Sequence, residues 1–120
     1  MKLEEITKLL GARIHVRGRA CIKDIDINTV AACDLMSDVL KHWDHGVDML
    51  LTGLNTVQAV RTGSVASVKA IILVRGKIPT PAVIEVAKEE EISLFSTDSS
   101  LFDASGMLYA TGMRHKSTET

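Results

Sequence analysis

Lys69-Ala70-Ile71-Ile72-Leu73-Val74 is followed by Arg75-Gly76-Lys77, then by Thr80-Pro81, then by Val83-Ile84-Glu85-Val86-Ala87, and then by Ile92-Ser93-Leu94-Phe95. The first run is apolar at nearly every position, the pattern of a strand buried on both faces. Gly76 turns the chain. Thr80 caps a helix with Pro81 at its first position, where a missing N–H costs nothing. Val83, Ile84, Val86 and Ala87 face inward, and Lys88-Glu89-Glu90-Glu91 is the solvated end. Ile92 to Phe95 is the next short strand. Strands separated by helices in this rhythm give a parallel sheet covered on both faces.

Upstream, Val47 to Leu51 reads as a buried strand and Thr52-Gly53-Leu54-Asn55 as a turn. Thr56 to Arg61 reads as a short helix with Val57 and Val60 inward, and Thr62 to Ser67 as a helix end or loose turn. Val30 to Cys33 is an apolar run entering a helix near Asp34. Leu35, Met36, Val39, Leu40 and Trp43 recur there at helical spacing until Gly46. Leu3, Ile6, Leu9 and Leu10 form a helical stripe that Gly11 ends. Ala12 to Val16 alternates as a strand, and Gly18 to Asn28 is mixed. Downstream, Asp98 or Ser99 caps a last helix carrying Leu101, Phe102, Ala104, Met107 and Leu108, which Gly112 ends. The expected fold is a single three-layer α/β domain, a mainly parallel sheet flanked by helices, spanning residues 1–113. Residues 114–120 are a polar tail.

The chain has 120 residues, 46% hydrophobic and 24% charged, as a single globular domain has. Lys plus Arg is 14 and Asp plus Glu is 15, a net charge of -1, and aromatics are 3%. That balance argues against a general nucleic-acid binder, which needs a basic surplus and stacking rings. Ala70 to Val74, the longest strongly apolar run, is far short of a membrane span, and Glu4 and Glu5 stand where a secretory signal would be apolar. A cytoplasmic protein is expected. Cys21 and Cys33 are twelve apart in apolar surroundings, so they are expected to be buried, reduced thiols.

Walker, dinucleotide and nucleophile-elbow motifs are all missing. Asp34 and Asp38 are four apart, as are Asp38 and His42, and His45 follows. An acid–base pair or a zinc site is one reading of these residues; capping and solvated positions at a helix end are the plainer one. Neither a metal nor another cofactor is expected. Three junctions carry small or hydroxyl residues just after a strand: Thr52-Gly53-Leu54-Asn55-Thr56, Arg75-Gly76-Lys77 with Thr80, and Thr97-Asp98-Ser99-Ser100. In a parallel sheet such junctions gather at the carboxyl ends of the strands, where ligands bind and helix N-termini favour anions.

Residues 70–97, from Ala70-Ile71-Ile72-Leu73-Val74-Arg75-Gly76 to Ser93-Leu94-Phe95-Ser96-Thr97, resemble the DRTGG domain found in some phosphotransacetylases and regulatory pyrophosphatases and related to the amino-terminal domain of HPr kinase. Ala32-Cys33-Asp34-Leu35-Met36-Ser37-Asp38-Val39 is similar to the D-L-L-S-D-V motif of a stand-alone subfamily, and Leu51 to Val60 resembles the segment that follows it there. The likeness spans about residues 30–113. Val74-Arg75-Gly76 stands in place of the family's T-G-G, and Thr52-Gly53-Leu54 in place of its G-D-R. The resemblance implies an α/β domain that pairs with a copy of itself, and an accessory or regulatory role beside an iron-only hydrogenase. It implies no catalytic constellation, and the kinase domain and phosphate loop of HPr kinase are missing.

The expected function is a non-catalytic regulatory or protein-interaction module, homodimeric, sensing a nucleotide-like anion at the strand ends. Thr52, Gly53, Asn55, Arg75, Gly76, Thr97 and Asp98 are the candidate contacts, with Asp34 and Ser37 ordering the site or the dimer. The mean hydropathy of +0.17 fits an apolar face covered by a second copy. The alternatives are an accessory subunit of a hydrogenase-related complex, docking through the helix around Trp43, and a small enzyme using Asp34, Asp38 and His42.

Overall fold

The computed structural model describes residues 1–42 and 46–113, apart from the side chains of Asp38, Leu40 and His42. The elements are α1 (Leu3–Leu10), β1 (Arg13–Val16), β2 (Val30–Ala32), α2 (Met36–His42), β3 (Met49–Thr52), α3 (Val57–Val65), β4 (Ala70–Leu73), α4 (Pro81–Glu89), β5 (Ser93–Ser96) and α5 (Leu101–Ala110). The strands form one sheet in the order β1-β5-β4-β3-β2. β2 to β5 are parallel, and β1 runs antiparallel along β5. The expected α/β class and mainly parallel sheet are what the structure has.

Each of β2, β3 and β4 connects to its immediate neighbour, so the right-handed rule sends α2, α3 and α4 to one face. Leu50, Ile71, Leu73 and Leu94 point to that face and pack with Val39, Val60 and Val83. The alternate residues Met49, Leu51, Ile72 and Phe95 point the other way and pack with Leu3, Ile6, Ala104 and Leu108 of α1 and α5. Burial on both faces explains why β3, β4 and β5 read as continuous apolar runs rather than alternating ones.

Four local expectations change. Val30 to Ala32 does not enter the helix but pairs with Met49 to Leu51 as edge strand β2; three residues are too few to show a strand period. The helix begun near Thr56 runs on to Val65, through Gly63. That glycine belongs in the helix because a Cβ there would sit 2.9 Å from Val68 Cγ2 and 3.2 Å from Ile71 Cδ1. The cap of α5 is Ser100, whose Oγ accepts from Asp103 N (3.0 Å), not Asp98 or Ser99. Cys21 is exposed and Cys33 half-buried, so neither is a core thiol; Cys21 opens the short 3-10 turn Ile22–Asp24 and faces out. The mixed stretch from Gly18 to Asn28 holds this turn and no strand, with Ile25 and Ile27 buried against α1. The proposed tail, 114–120, lies outside the described residues.

Candidate functional site

Loops leave the carboxyl ends of β2 to β5 at one edge of the sheet, and antiparallel β1 begins there, with Arg13 opposite Ser96. The β2 loop carries Asp34. Its Oδ1 accepts from Thr52 Oγ1 (3.0 Å) and from Gly53 N (2.7 Å), and Thr52 Oγ1 accepts in turn from Leu54 N (3.2 Å). One carboxylate oxygen therefore orders the whole β3–α3 turn. The other, Oδ2, lies 3.6 Å from Arg75 Nη2, a loose ion pair. Arg75 crosses over Gly53: a Cβ on that glycine would stand 2.5 Å from Arg75 Nη2. Both partners stay wet, with the Arg75 side chain 54% exposed and that of Asp34 43%.

Arg75 and Gly76 both have left-handed backbones, with φ of 60° and 67°. For Arg75 this conformation costs about 1 kcal/mol or more. Two hydrogen bonds offset the cost, Arg75 N to Ser99 O and Gly76 N to Thr97 O, both 2.8 Å. They join the β4 and β5 loops, which part here because α4 and α5 go to opposite faces of the sheet. This divergence is the switch point at which open α/β sheets take ligands. In this chain the backbone seam closes it, and the open polar groups lie instead over β2, β3 and β4.

The structure therefore divides the sequence-derived candidates. Asp34, Thr52, Gly53 and Arg75 come together. Asn55 stands apart as a brace, donating from Nδ2 to Ile78 O (2.7 Å) and accepting at Oδ1 from Thr80 N (3.3 Å). Thr97 is buried, its hydroxyl donating to Leu10 O (2.6 Å) and anchoring α1. Asp98 pairs with Arg13 at 3.2 Å on the surface, and an exposed pair of this kind adds little stability. Ser37 is exposed on α2 and makes no hydrogen bond to the others among the described residues. Asp38 and His42 have side chains outside the described residues, as has His45, so their acid–base and metal readings fall there too. Among the described residues no group of three His, Cys, Asp or Glu could hold a metal ion.

Sequence reasoning passed over Arg13, His15 and Ser96. His15 sits where the β1–β5 register shifts between Ile14 and Val16, and its Nε2 lies 2.7 Å from Ser96 Oγ. Burial first, and the nearby Arg13 charge second, push the His15 pKa below its ordinary value and favour the neutral ring, whose tautomer sets which partner donates. Ser96 is fully buried, which makes the pair a bridge between strands and closes it to substrate. Only the antiparallel register reveals it, and nothing in residues 12–16 announces that register.

No protein-family model matches the sequence, and no curated protein does. Among solved structures, the chain is similar to the CBS and DRTGG domains of the regulatory region of Clostridium perfringens pyrophosphatase, complexed with its activator, diadenosine tetraphosphate. The TM-score is 0.69 at 22% identity, covering 89% of this chain and 45% of that one. This likeness supports a DRTGG-like fold. It concerns architecture, and the chain corresponds to under half of that regulatory region. Among the described residues no helix is long and apolar enough to cross a membrane.

Proposed function

We propose that this chain is a non-catalytic regulatory module, residues 1–113 acting as one cytoplasmic domain that senses a small nucleotide-like anion at the carboxyl edge of its sheet. The observation that carries the proposal is Arg75, held at the mouth of the β3 turn by a loose, half-exposed pairing with Asp34. An incoming phosphate replaces Asp34 as the partner of the guanidinium and gains a charge-assisted, bidentate contact. The N-termini of α3 and α4 begin at the same edge and favour negative charge there. Asp34 still holds the turn through Oδ1, so the site need not collapse when the ion pair opens. Thr52 and Gly53 shape the floor, Asn55 braces the neighbouring loop, Gly76 and Thr97 fix the Arg75 backbone, and Ser37 and Asp98 stand at the rim. The likeness to a regulatory region solved with a dinucleotide activator supports the ligand class.

The test is a thermal-shift and calorimetric series with AMP, ADP, ATP, diadenosine tetraphosphate and acetyl phosphate. A ligand at about 100 times its Kd adds roughly 2.7 kcal/mol of stability. Arg75→Ala should abolish the response. Asp34→Asn keeps an acceptor for Gly53 N but removes the competing charge, so it should strengthen binding. Absence of any response across the series overturns the anion-sensing assignment.

A protein-interaction role is favoured separately by α5. Phe102 is 85% and Tyr109 62% exposed, seven apart on one helix face, with open space above Gly106 between them. A second copy of the chain, or a larger hydrogenase-related partner, would cover this face. Sedimentation of the wild type against Phe102→Ser separates the cases: a dimer lost in the variant supports self-association, and a wild-type monomer removes it.

A further inference from the structure

We infer that the anion taken at Arg75 is the phosphate of a nucleotide, and that its base lies on an aliphatic shelf made by Leu35, Leu54 and Ile78. The inference rests on the anion-sensing reading of Arg75 and names the rest of the ligand.

Three neighbouring loops meet around the Asp34–Arg75 pair, and each carries one of these residues. Gly53 N donates to Asp34 Oδ1 at 2.7 Å, which ties the β2 loop to the β3 turn; Leu35 is the next residue and is 60% exposed. Leu54 follows Gly53 and is half-buried against the α2–α4 side of the core. Asn55 comes next and ties the β3 turn to the β4 loop, donating to Ile78 O at 2.7 Å and accepting from Thr80 N at 3.3 Å. Ile78 is 64% exposed. The three aliphatic residues therefore stand across the carboxyl ends of β2, β3 and β4, in the order those strands take in the sheet.

A single exposed aliphatic residue is ordinary on a protein surface. Leu35 and Ile78 differ in being held there. Met36 and Pro79, the residues that follow them, are buried, so the backbone beside each is anchored while the side chain stays in water. Both ends of the Asn55 amide are engaged in fixing the loop that carries Ile78. A flat apolar ligand face that covers these residues has little loop ordering left to impose.

The neighbouring charge selects the ligand. Arg75 crosses over Gly53, where an added Cβ would stand 2.5 Å from Nη2, so the guanidinium lies over the residue just before Leu54. Gly53 and Asn55 are at most about 7 Å apart along the chain, a span that a ribose covers between its 5′-phosphate and its base. A free phosphate or a phosphorylated acid would satisfy Arg75 and leave the shelf wet. An apolar peptide would cover the shelf and leave Arg75 with Asp34. A nucleoside phosphate meets both, and an apolar surface beside a few fixed polar groups is the usual make-up of a small-molecule site.

Calorimetry and methyl NMR of the full chain with AMP, ribose 5-phosphate and inorganic phosphate test the assignment. AMP should bind at least about tenfold more tightly than ribose 5-phosphate, the gain expected from burying one face of a base on apolar side chains. The ring current of adenine should shift the methyl resonances of Leu35, Leu54 and Ile78, and ribose 5-phosphate should leave them in place. Leu35→Ser and Ile78→Ser alter exposed side chains; each should weaken AMP binding severalfold and spare ribose 5-phosphate. If either variant misfolds, the methyl shifts of the wild type carry the test. Equal affinities for AMP and ribose 5-phosphate, both lost in Arg75→Ala, overturn the shelf and leave the anion site standing. AMP binding that survives Arg75→Ala, or that shifts none of the three residues, places the nucleotide elsewhere and overturns the inference. Absence of binding by all three compounds overturns the shelf and the anion site together.

Discussion

The two edges of this sheet are built from the same crossovers and have opposite character. At the carboxyl edge α3, α4 and α5 begin, and each start is closed by a hydroxyl: Thr56, Thr80 and Ser100 accept from the backbone N–H three residues on. At the amino edge α3 and α4 end, and each end is closed by a non-glycine residue in the left-handed conformation. The helices that follow parallel strands, α2 to α5, point their dipoles the same way, while α1, which ends beside Thr97 at the carboxyl edge, runs against them. One edge is therefore inclined to anions and the other to cations, without any net charge bias in the chain as a whole, whose formal charge is -1. The side chains sharpen this polarity. Arg75 stands half-exposed at the first edge, and Asp24 and Glu90, without an ion pair among the described residues, border the second.

Glycine tests the edges most harshly. At the amino edge, a Cβ on Gly18 would lie 2.6 Å from Glu91 O and 2.7 Å from Ser93 N, backbone atoms that cannot give way cheaply. Gly18→Ala is expected to cost about 3 kcal/mol, a drop in Tm of roughly 10 °C. At the carboxyl edge, the Cβ of Gly53→Ala meets the tip of the flexible Arg75 side chain. This variant should melt close to the wild type and lose anion binding because the guanidinium is displaced. Similar melting losses at both positions would mean that the two edges do not differ in rigidity.

Asp34 carries the next largest effect. Asp34→Ala leaves Thr52 Oγ1 and Gly53 N without their acceptor and should cost about 1–2 kcal/mol in chemical denaturation. Asp34→Asn should recover most of that. If the two variants are equally unstable, the charge on Asp34, and not its geometry, holds the β3–α3 turn.

The sequence carried the architecture better than the site because the two rest on different information. Ala70 to Leu73 and the Thr80–Pro81 helix start are local signals, and both are where the residues put them. Strand order is not local. Asn55 and Thr97 are hydroxyl or amide residues just after strands, indistinguishable in sequence from Thr52. Only the packed sheet shows Asn55 bridging to Ile78 and Thr80, and Thr97 turned down to Leu10. The meeting of Asp34 with Arg75, 41 positions later in the chain, needs β2, β3 and β4 to be neighbours in that order. The exposure of Cys21 was hidden for the same reason: its apolar neighbours border a turn at the rim and not the core.

The left-handed positions give a smaller and opposite effect. Ser67→Gly relieves a conformation that costs an ordinary residue about 1 kcal/mol, and the Ser67 side chain makes no hydrogen bond that would be lost. The variant should be more stable by up to about 1 kcal/mol in urea. Thr80→Ala at the other edge should lose about 1 kcal/mol, since Thr80 Oγ1 accepts from Val83 N. Stability gained at one edge and lost at the other would show that the helix ends of the amino edge carry a conformational cost that the capped helix starts of the carboxyl edge do not.

His15 gives the smallest effect, and pH is what reveals it. Its folded pKa lies below the 6.5 of the free side chain, through burial and the Arg13 charge. The unfolded chain therefore takes up a proton more readily than the folded one as pH falls. The contribution of neutral His15 is fully present above about pH 6.5 and is lost as pH drops toward the folded pKa. Protonation also sets a positive ring beside the Arg13 charge, so the β1–β5 pairing should weaken first. His15→Gln removes this titration while leaving a polar group beside Ser96. Denaturation midpoints measured from pH 7.5 to pH 5 should fall less steeply in the variant than in the wild type, by a margin kept small by the partial exposure of the ring. Parallel slopes would mean that His15 titrates alike in both states and does not set the acid sensitivity of this edge.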